Sequence, residues 1–325
     1  MNKSENQSRR AFLIRTGKAA GLAAITTGFA FALHRKTRSP FFEEEEEAII
    51  RDLRIKDLAE KMVVAHGNNV ALMTKAAIDN FGGMKTFIAK GDFVIIKPNI
   101  GWDRTPEQAA NTNPDIIKTL VQLCFEAGAG KVLVTDMSCN DPRRCFMRSG
   151  IEQAARDAGA SVEQPTEAKF RSVNMGGAML GKQSVYQPYL EADKFINVPI
   201  AKHHSLTGAT LGMKNLYGII GGHRSKLHQD IHNSIADLGN FLRPTLTIMD
   251  AYRVLRRNGP QGGNLADVEM KNTIIASNDM VAIDAYAGET FFGMSGEKLG
   301  HLVLAEKYGL GKADFRQVPM REISV

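Results

Sequence analysis

The sequence predicts an α/β protein, a mostly parallel sheet with helices on both faces and a segment that reads as a smaller second lobe. Three observations predict it. Short apolar runs without polar alternation recur at 62–65, 93–96, 132–135, 195–199, 246–249 and 273–276, as expected of strands covered on both sides. Between them lie stretches of about 12–15 residues with helical spacing, the alternation that builds βαβ units. Charged or amide residues then follow four of the strands, where open α/β sheets gather their ligands.

In chain order, residues 1–38 come first. They carry eight of the 41 Lys and Arg residues and a single acid, Glu5, of the 35 Asp and Glu. The net charge of +6 therefore belongs to this leader, and the remainder is close to neutral. A near-neutral body has no global field for nucleic acid or an anionic membrane. Ser8-Arg9-Arg10-Ala11-Phe12-Leu13, followed by a Gly/Ala/Thr-rich apolar run over 17–33, reads as a twin-arginine export signal. Ala30-Phe31-Ala32 offers a small-x-small cleavage site. The expected partner is the twin-arginine export machinery, the expected location is periplasmic or extracytoplasmic, and membrane contact comes only through an uncleaved signal. Residues 39–60, with five consecutive glutamates at 43–47, read as an acidic linker. The α/β domain then spans 61–325.

Within it, the strand at 62–65 leads to a helix at 69–80 closed by Gly82-Gly83. After the strand at 93–96, Asn113 caps a helix over 114–127 with Pro114 at its first position. The strand at 132–135 precedes a helix over 144–158. Residues 161–193 break the pattern and read as an insertion or the small lobe. The strand at 195–199 returns to it and delivers a polar burst into a loop, then a glycine-spaced segment. A helix at 229–242 with an Ile231, Ile235, Leu238, Leu242 stripe, a strand at 246–249, a glycine-rich loop at 256–264, a strand at 273–276, a helix capped by Asp279 and a last helix at 296–308 complete the chain.

Strand ends locate the candidate site. They present Lys97 and Asn99, then Asp136, then Lys202, His203 and His204, then Asp250 with Arg253 just beyond. Lys97, Lys202 and Lys214 suit a small carboxylate or phosphate, helped by backbone N–H groups of the glycine-spaced segment 208–222. Asp136 and Asp250 could coordinate, orient or act as base. Adjacent side chains on extended backbone point opposite ways, so one of His203 and His204 faces the site, and His203 is favoured as acid/base or ligand. His228 and His232, four apart, fall on one helix face beside the apolar stripe and read as partly exposed polar residues. Met213 and Tyr217 read as core. Neither GxGxxG nor GxxxxGK[ST] is present, which leaves a nucleotide without its usual cradle.

Three cysteines bound the cofactor. An intrachain four-cysteine iron–sulfur cluster cannot be built from Cys124, Cys139 and Cys145. Cys124 reads as core. Cys139 and Cys145 flank a tight loop and are open to three readings: a disulfide, a reactive or metal-binding pair, or free thiols. A metal ion held by His203, His204, Cys139 and Cys145 is among these expectations.

KPNIGWDRTPEQAANTNP (97–114), SCNDPRR (138–144), NVPIAKHHSLTGATLGMKNLYGIIGG (197–222) and LRRNGPQGGNLADV (255–268) resemble the bacterial family catalogued as domain of unknown function 362, in its exported, twin-arginine branch. The resemblance runs over roughly residues 60–320 and implies no particular reaction. Some relatives append ferredoxin-like cysteine clusters, which implies redox or metal company; no such run occurs in this sequence. Matching motif residues are Lys97, Asn99, Trp102, Asn113, Asp136, Cys139, Lys202, His203, Lys214 and Asn215. The resulting expectation is an exported enzyme acting on a small anionic substrate with metal or redox assistance. Its catalytic set is Lys97, Asn99, Asp136, Lys202, His203 and Asp250, and its substrate-binding set is Lys214, Asn215, Trp102 and Arg253. The alternatives are a non-catalytic periplasmic protein that binds a metal, cofactor or anion, and an accessory partner of an exported redox complex.

Overall fold

The computed structural model describes residues 47–59, 61–222 and 224–325. The chain divides into Met1–Glu47 and Ala48–Val325, and the second unit is described here. The expected export signal, most of the glutamate run and His223 lie outside the described residues.

Ten strands form the central sheet: β1 (Met62–His66), β2 (Phe93–Pro98), β3 (Lys131–Val134), β4 (Ser161–Val162), β5 (Lys194–Val198), β6 (Ile200–His204), β7 (Gly208–Thr210), β8 (Leu246–Leu255), β9 (Val268–Ser277) and β10 (Met320–Ser324). Their spatial order is β10-β1-β9-β8-β5-β2-β3-β4, with β6 continuing beside β8 and β7 beside β6. β9 is antiparallel to both neighbours and β6–β7 is an antiparallel hairpin; the other ladders are parallel. The protein is thus an α/β fold on a mostly parallel sheet.

Successive strand residues alternate between the two faces of the sheet, and both faces are covered. Val63, Ala65, Val94, Ile96, Val132 and Val134 enter one core with the helices Val70–Asp79 and Pro114–Ala127. Met62, Val64, Ile95 and Leu133 enter the other with Ile231–Phe241, Met280–Phe292 and Gly300–Lys307. That is why these strands lack polar alternation. Helix starts follow local chemistry: Asn69 accepts from the Leu72 N–H, Asn113 from Asp115 and Asp279 from Val281 and Ala282, each satisfying donors the first turn leaves orphaned. Among the described residues no helix is long and apolar enough to cross a membrane.

Four expectations change. The helix expected over 144–158 is two helices, Pro142–Arg148 and Ile151–Asp157, because Gly150 between them takes a left-handed φ of 72°. Residues 202–204 are not in a loop: they belong to β6, which pairs with β7. β8 does not end at Met249 but runs on to Leu255, so Asp250 and Arg253 lie within a strand. His228 closes a 3-10 turn, Arg224–His228, before the helix that carries His232 begins, so the two histidines do not share a helix face.

Within 161–193 lies an antiparallel hairpin, Phe170–Asn174 with Lys182–Tyr186. Its Val173, Val185 and Tyr186 enter the same core as the second sheet face. Asp237 pins its turn by accepting from the backbone N–H groups of Ala178, Met179 and Leu180.

Candidate functional site

A cavity of about 580 Å³ opens beyond the carboxyl ends of β2, β3 and β5, where an open α/β sheet presents its ligand site. The strand ends bring Lys97, Asn99 and Asp136 to it, and the β6–β7 hairpin brings Lys202, His204 and Thr210. Lys214 and Asn215, in the short helix Gly212–Asn215, form another wall. Trp102, Cys139, Tyr217, Arg224 and His228 are also among its lining residues.

Lys97 is fully buried, and its Nζ lies 2.7 Å from Asp136 Oδ1. The same Nζ donates to the Pro98 carbonyl at 3.1 Å. Burial pulls the lysine pKa down and the Asp136 charge opposes the fall, the usual competition between desolvation and a partner charge. Asp136 Oδ2 accepts from the Ile100 N–H at 2.7 Å, so the carboxylate is held at both oxygens.

Lys202 is 1% exposed and donates to Asn99 Oδ1 at 2.9 Å and to the Ala110 carbonyl at 2.6 Å. Asn99 in turn donates from Nδ2 to Asn215 Oδ1, and Asn215 to Asn197 Oδ1, at 3.0 and 2.9 Å. Asn197 closes the chain by donating to the Gly212 carbonyl. Each amide has one oxygen and one NH₂ to offer, so a fully paired run of this kind fixes all three side chains. Burial lowers the Lys202 pKa to about 7, with Lys214 and Lys97 adding to the fall against Cys139 and Asp136.

Lys214 differs from the other two. It is 7% exposed, and its Nζ sits 3.6 Å from the centroid of the Tyr217 ring. No carboxylate among the described residues lies within ion-pair distance of it. Burial lowers its pKa to about 7, helped by Arg224 and opposed by Cys139. Arg224 anchors itself on the carbonyls of Met137 and Ser138. His204 and His228 stack with centroids 6.3 Å apart and planes at 8°. Burial and then the Lys214 charge push His204 down to about 3 and lower His228 as well, so both rings are neutral at ordinary pH. Leu206 N–H donates to His204 Nδ1, which leaves the ring proton on Nε2.

The expected residues are therefore divided. Lys97, Asn99, Trp102, Asp136, Cys139, Lys202, His204, Lys214 and Asn215 converge on the cavity. His203 does not: it points to the opposite side of β6, where Gly259 N–H donates to its Nδ1 at 3.2 Å. Asp250 is buried within β8 and accepts from the backbone N–H groups of Asn113 and Tyr252; burial raises its pKa to about 6. Arg253, further along β8, lies over the Tyr252 ring. Cys145 is buried, while Cys139 is exposed at the cavity, and both are free thiols. His203, His204, Cys139 and Cys145 thus do not form one donor set, and among the described residues no three His, Cys, Asp or Glu side chains cluster as metal ligands.

Tyr217, Gly218, Arg224 and His228 were absent from the expected set. Tyr217 and Gly218 lie inside the 197–222 motif, and their apolar spacing reads as core. Arg224 and His228 carry no local signal, because the fold alone brings their turn across the cavity.

The structure is similar to two solved ones, at TM-scores of 0.48 and 0.37. The first is the lactate racemase apoprotein of Thermoanaerobacterium thermosaccharolyticum, 13% identical over 77% of this chain and 59% of that one. The second is a protein of Thermotoga maritima, 10% identical over 73% of this chain and 59% of that one. In sequence the chain is similar to a thylakoid-associated protein of Synechocystis, 24% identical over 220 residues, 65% of this chain and 66% of the relative. The chain therefore spans less than two thirds of the length of these proteins. Residues 94–289, which contain every charged group of the cavity, match the family model described as Domain of unknown function (DUF362), and the chain belongs to that family.

Proposed function

We propose that the cavity binds a small anion, a carboxylate or phosphate, and that the protein is an enzyme acting on such a substrate. One observation carries the reading. Lys97, Lys202, Lys214 and Arg224 line the cavity, while Asp136 is the one carboxylate among its described lining residues. Buried cations without counter-charges are costly, and an entering anion supplies the missing charge. Two of the lysines have pKa values of about 7, which suits an amine to gain or lose a proton at working pH. Neutral Lys202 retains two N–H donors for Asn99 and Ala110, and its remaining position is then a lone pair.

The side chains expected to hold a metal are split between the cavity and the chain behind it, so no step is assigned to a metal. Export remains part of the proposal. Arg9-Arg10 and the weakly apolar run at 17–33 support it, and Lys substitutions at both arginines should retain the protein in the cytoplasm.

The anion reading is tested by thermal denaturation with sulfate, phosphate and oxalate. A ligand at about 100 times its Kd stabilises by about 2.7 kcal/mol. Arg224→Ala and Lys214→Ala should lose most of that shift. If none of the three anions raises the wild-type Tm, the reading fails.

A further inference from the structure

We propose that Lys214 is an imine-forming nucleophile and that the anion taken by this cavity is a 2-oxo acid. The inference rests on the anion-site reading and divides its lysines by their contacts. Lys97 is held by Asp136 and the Pro98 carbonyl, and Lys202 by Asn99 and the Ala110 carbonyl. Both nitrogens are fixed in place by protein oxygens, which suits them to orient a carboxylate. Lys214 faces the same cavity from the other wall, buried, with the face of Tyr217 beneath its nitrogen and no protein oxygen bonded to it among the described residues. A buried amine with no acceptor is held ready for an atom of the ligand.

A carbonyl carbon fits that position better than a second carboxylate. Desolvation and a neighbouring cation favour the neutral amine, the nucleophilic form of lysine, and Arg224 supplies that cation beside Lys214. The stacked rings of His204 and His228 line the same cavity. His204 Nδ1 already accepts from the Leu206 N–H, so His228 is the ring left to take a proton and return it.

The step balances without an oxidant or reductant. One proton leaves the Lys214 ammonium for the His228 imidazole. Nζ attacks C2 of the 2-oxo acid, forming the C–N bond while the carbonyl electron pair moves to oxygen. Proton transfer from nitrogen to that oxygen gives a carbinolamine. The imidazole returns its proton to the hydroxyl, the C–O bond breaks, and water leaves. Ammonium and ketone become iminium and water, with no net change in protons or charge.

The test is reductive trapping of the full chain with pyruvate and sodium cyanoborohydride, followed by peptide mass mapping. One reduced adduct per chain on Lys214 is expected. Lys214→Arg keeps the cation and cannot form the imine, so it should lose the label yet keep its oxalate-induced rise in Tm. Lys214→Met should also lose the label, which guards against a misfolded arginine variant. If pyruvate raises the wild-type Tm but no adduct forms, the imine is overturned and the anion site stands. If neither pyruvate nor oxalate raises the Tm, the anion reading fails and takes this proposal with it. An adduct on Lys202, or spread over surface lysines, overturns the assignment to Lys214.

Discussion

Gly218 packs directly against Asp136: a Cβ added at Gly218 would lie 1.9 Å from Asp136 Oδ1 and 2.8 Å from Lys97 Nζ. The backbone of the segment after Lys214 therefore covers the buried ion pair, and only a hydrogen fits between them. Gly218→Ala should force the pair apart. We expect a loss of about 1–3 kcal/mol of stability from overpacking together with weakened anion binding, read by denaturant titration with and without sulfate. A variant as stable as wild type would mean that the cover over the pair is loose.

Lys97 and Asp136 form a buried pair whose halves depend on each other. Lys97→Met leaves a carboxylate stranded in the interior and should cost about 3–5 kcal/mol. Adding Asp136→Asn removes the stranded charge and should recover part of that loss. A double variant no more stable than the single one would show that the two groups are not energetically coupled.

Burial holds Lys202 and Lys214 at about 7, against about 10.4 for a solvated lysine. These are bases with lowered pKa. Between about pH 7 and 10 the unfolded chain binds more protons than the native one, so the lysines make stability rise with pH across that window. A bound anion favours the ammonium forms, so anion affinity should fall as pH climbs through about 7, and binding should take up protons. The two slopes have opposite signs. Thermal scans from about pH 6 to 10, with and without sulfate, separate them. Lys214→Met should flatten the anion-free slope; an unchanged slope would remove Lys214 as one of its sources.

His203 and His204 are sequence neighbours with different surroundings. His203→Ala loses a hydrogen bond to Gly259 behind the sheet and should change anion affinity by no more than about twofold. His204→Ala opens the cavity wall and breaks the stack with His228, with an expected loss of about 0.5–1.5 kcal/mol in binding. Isothermal titration with oxalate decides the order. Equal effects, or a larger one from His203, would contradict the orientation of β6.

Much of the fold is legible in the chain. Apolar runs at 93–96 and 132–135 read as strands covered on both faces and are so, and Asn113-Pro114 announces its helix outright. Three of the four polar strand ends converge as expected, because a parallel ladder aligns them: Ile96 pairs with both Ile196 and Val134, so the residues that follow emerge side by side. The fourth fails for a stated reason. β8 continues through its antiparallel ladder with β9 and keeps Asp250 inside the sheet, where two backbone N–H groups bind its carboxylate. Nothing local to Asp250 reveals the length of a strand whose partner lies more than twenty residues away.

By itself the sequence determined the alternating α/β plan, the near-neutral body behind a basic N-terminal stretch, and a lysine-rich set of residues following the strands. Those properties follow from side-chain spacing and composition, which are local. Only the tertiary structure decided that His204 and not His203 faces the cavity, that Cys145 is buried while Cys139 is exposed, and that Arg224 and His228 complete the wall. It also decided that, among the described residues, no oxygen is hydrogen-bonded to the Lys214 nitrogen, whereas Lys97 and Lys202 each have such a partner. These depend on ladder register and on contacts between segments distant in the chain, such as Lys202 with Asn99 and Lys97 with Asp136, and such contacts exist only once the chain has closed on itself.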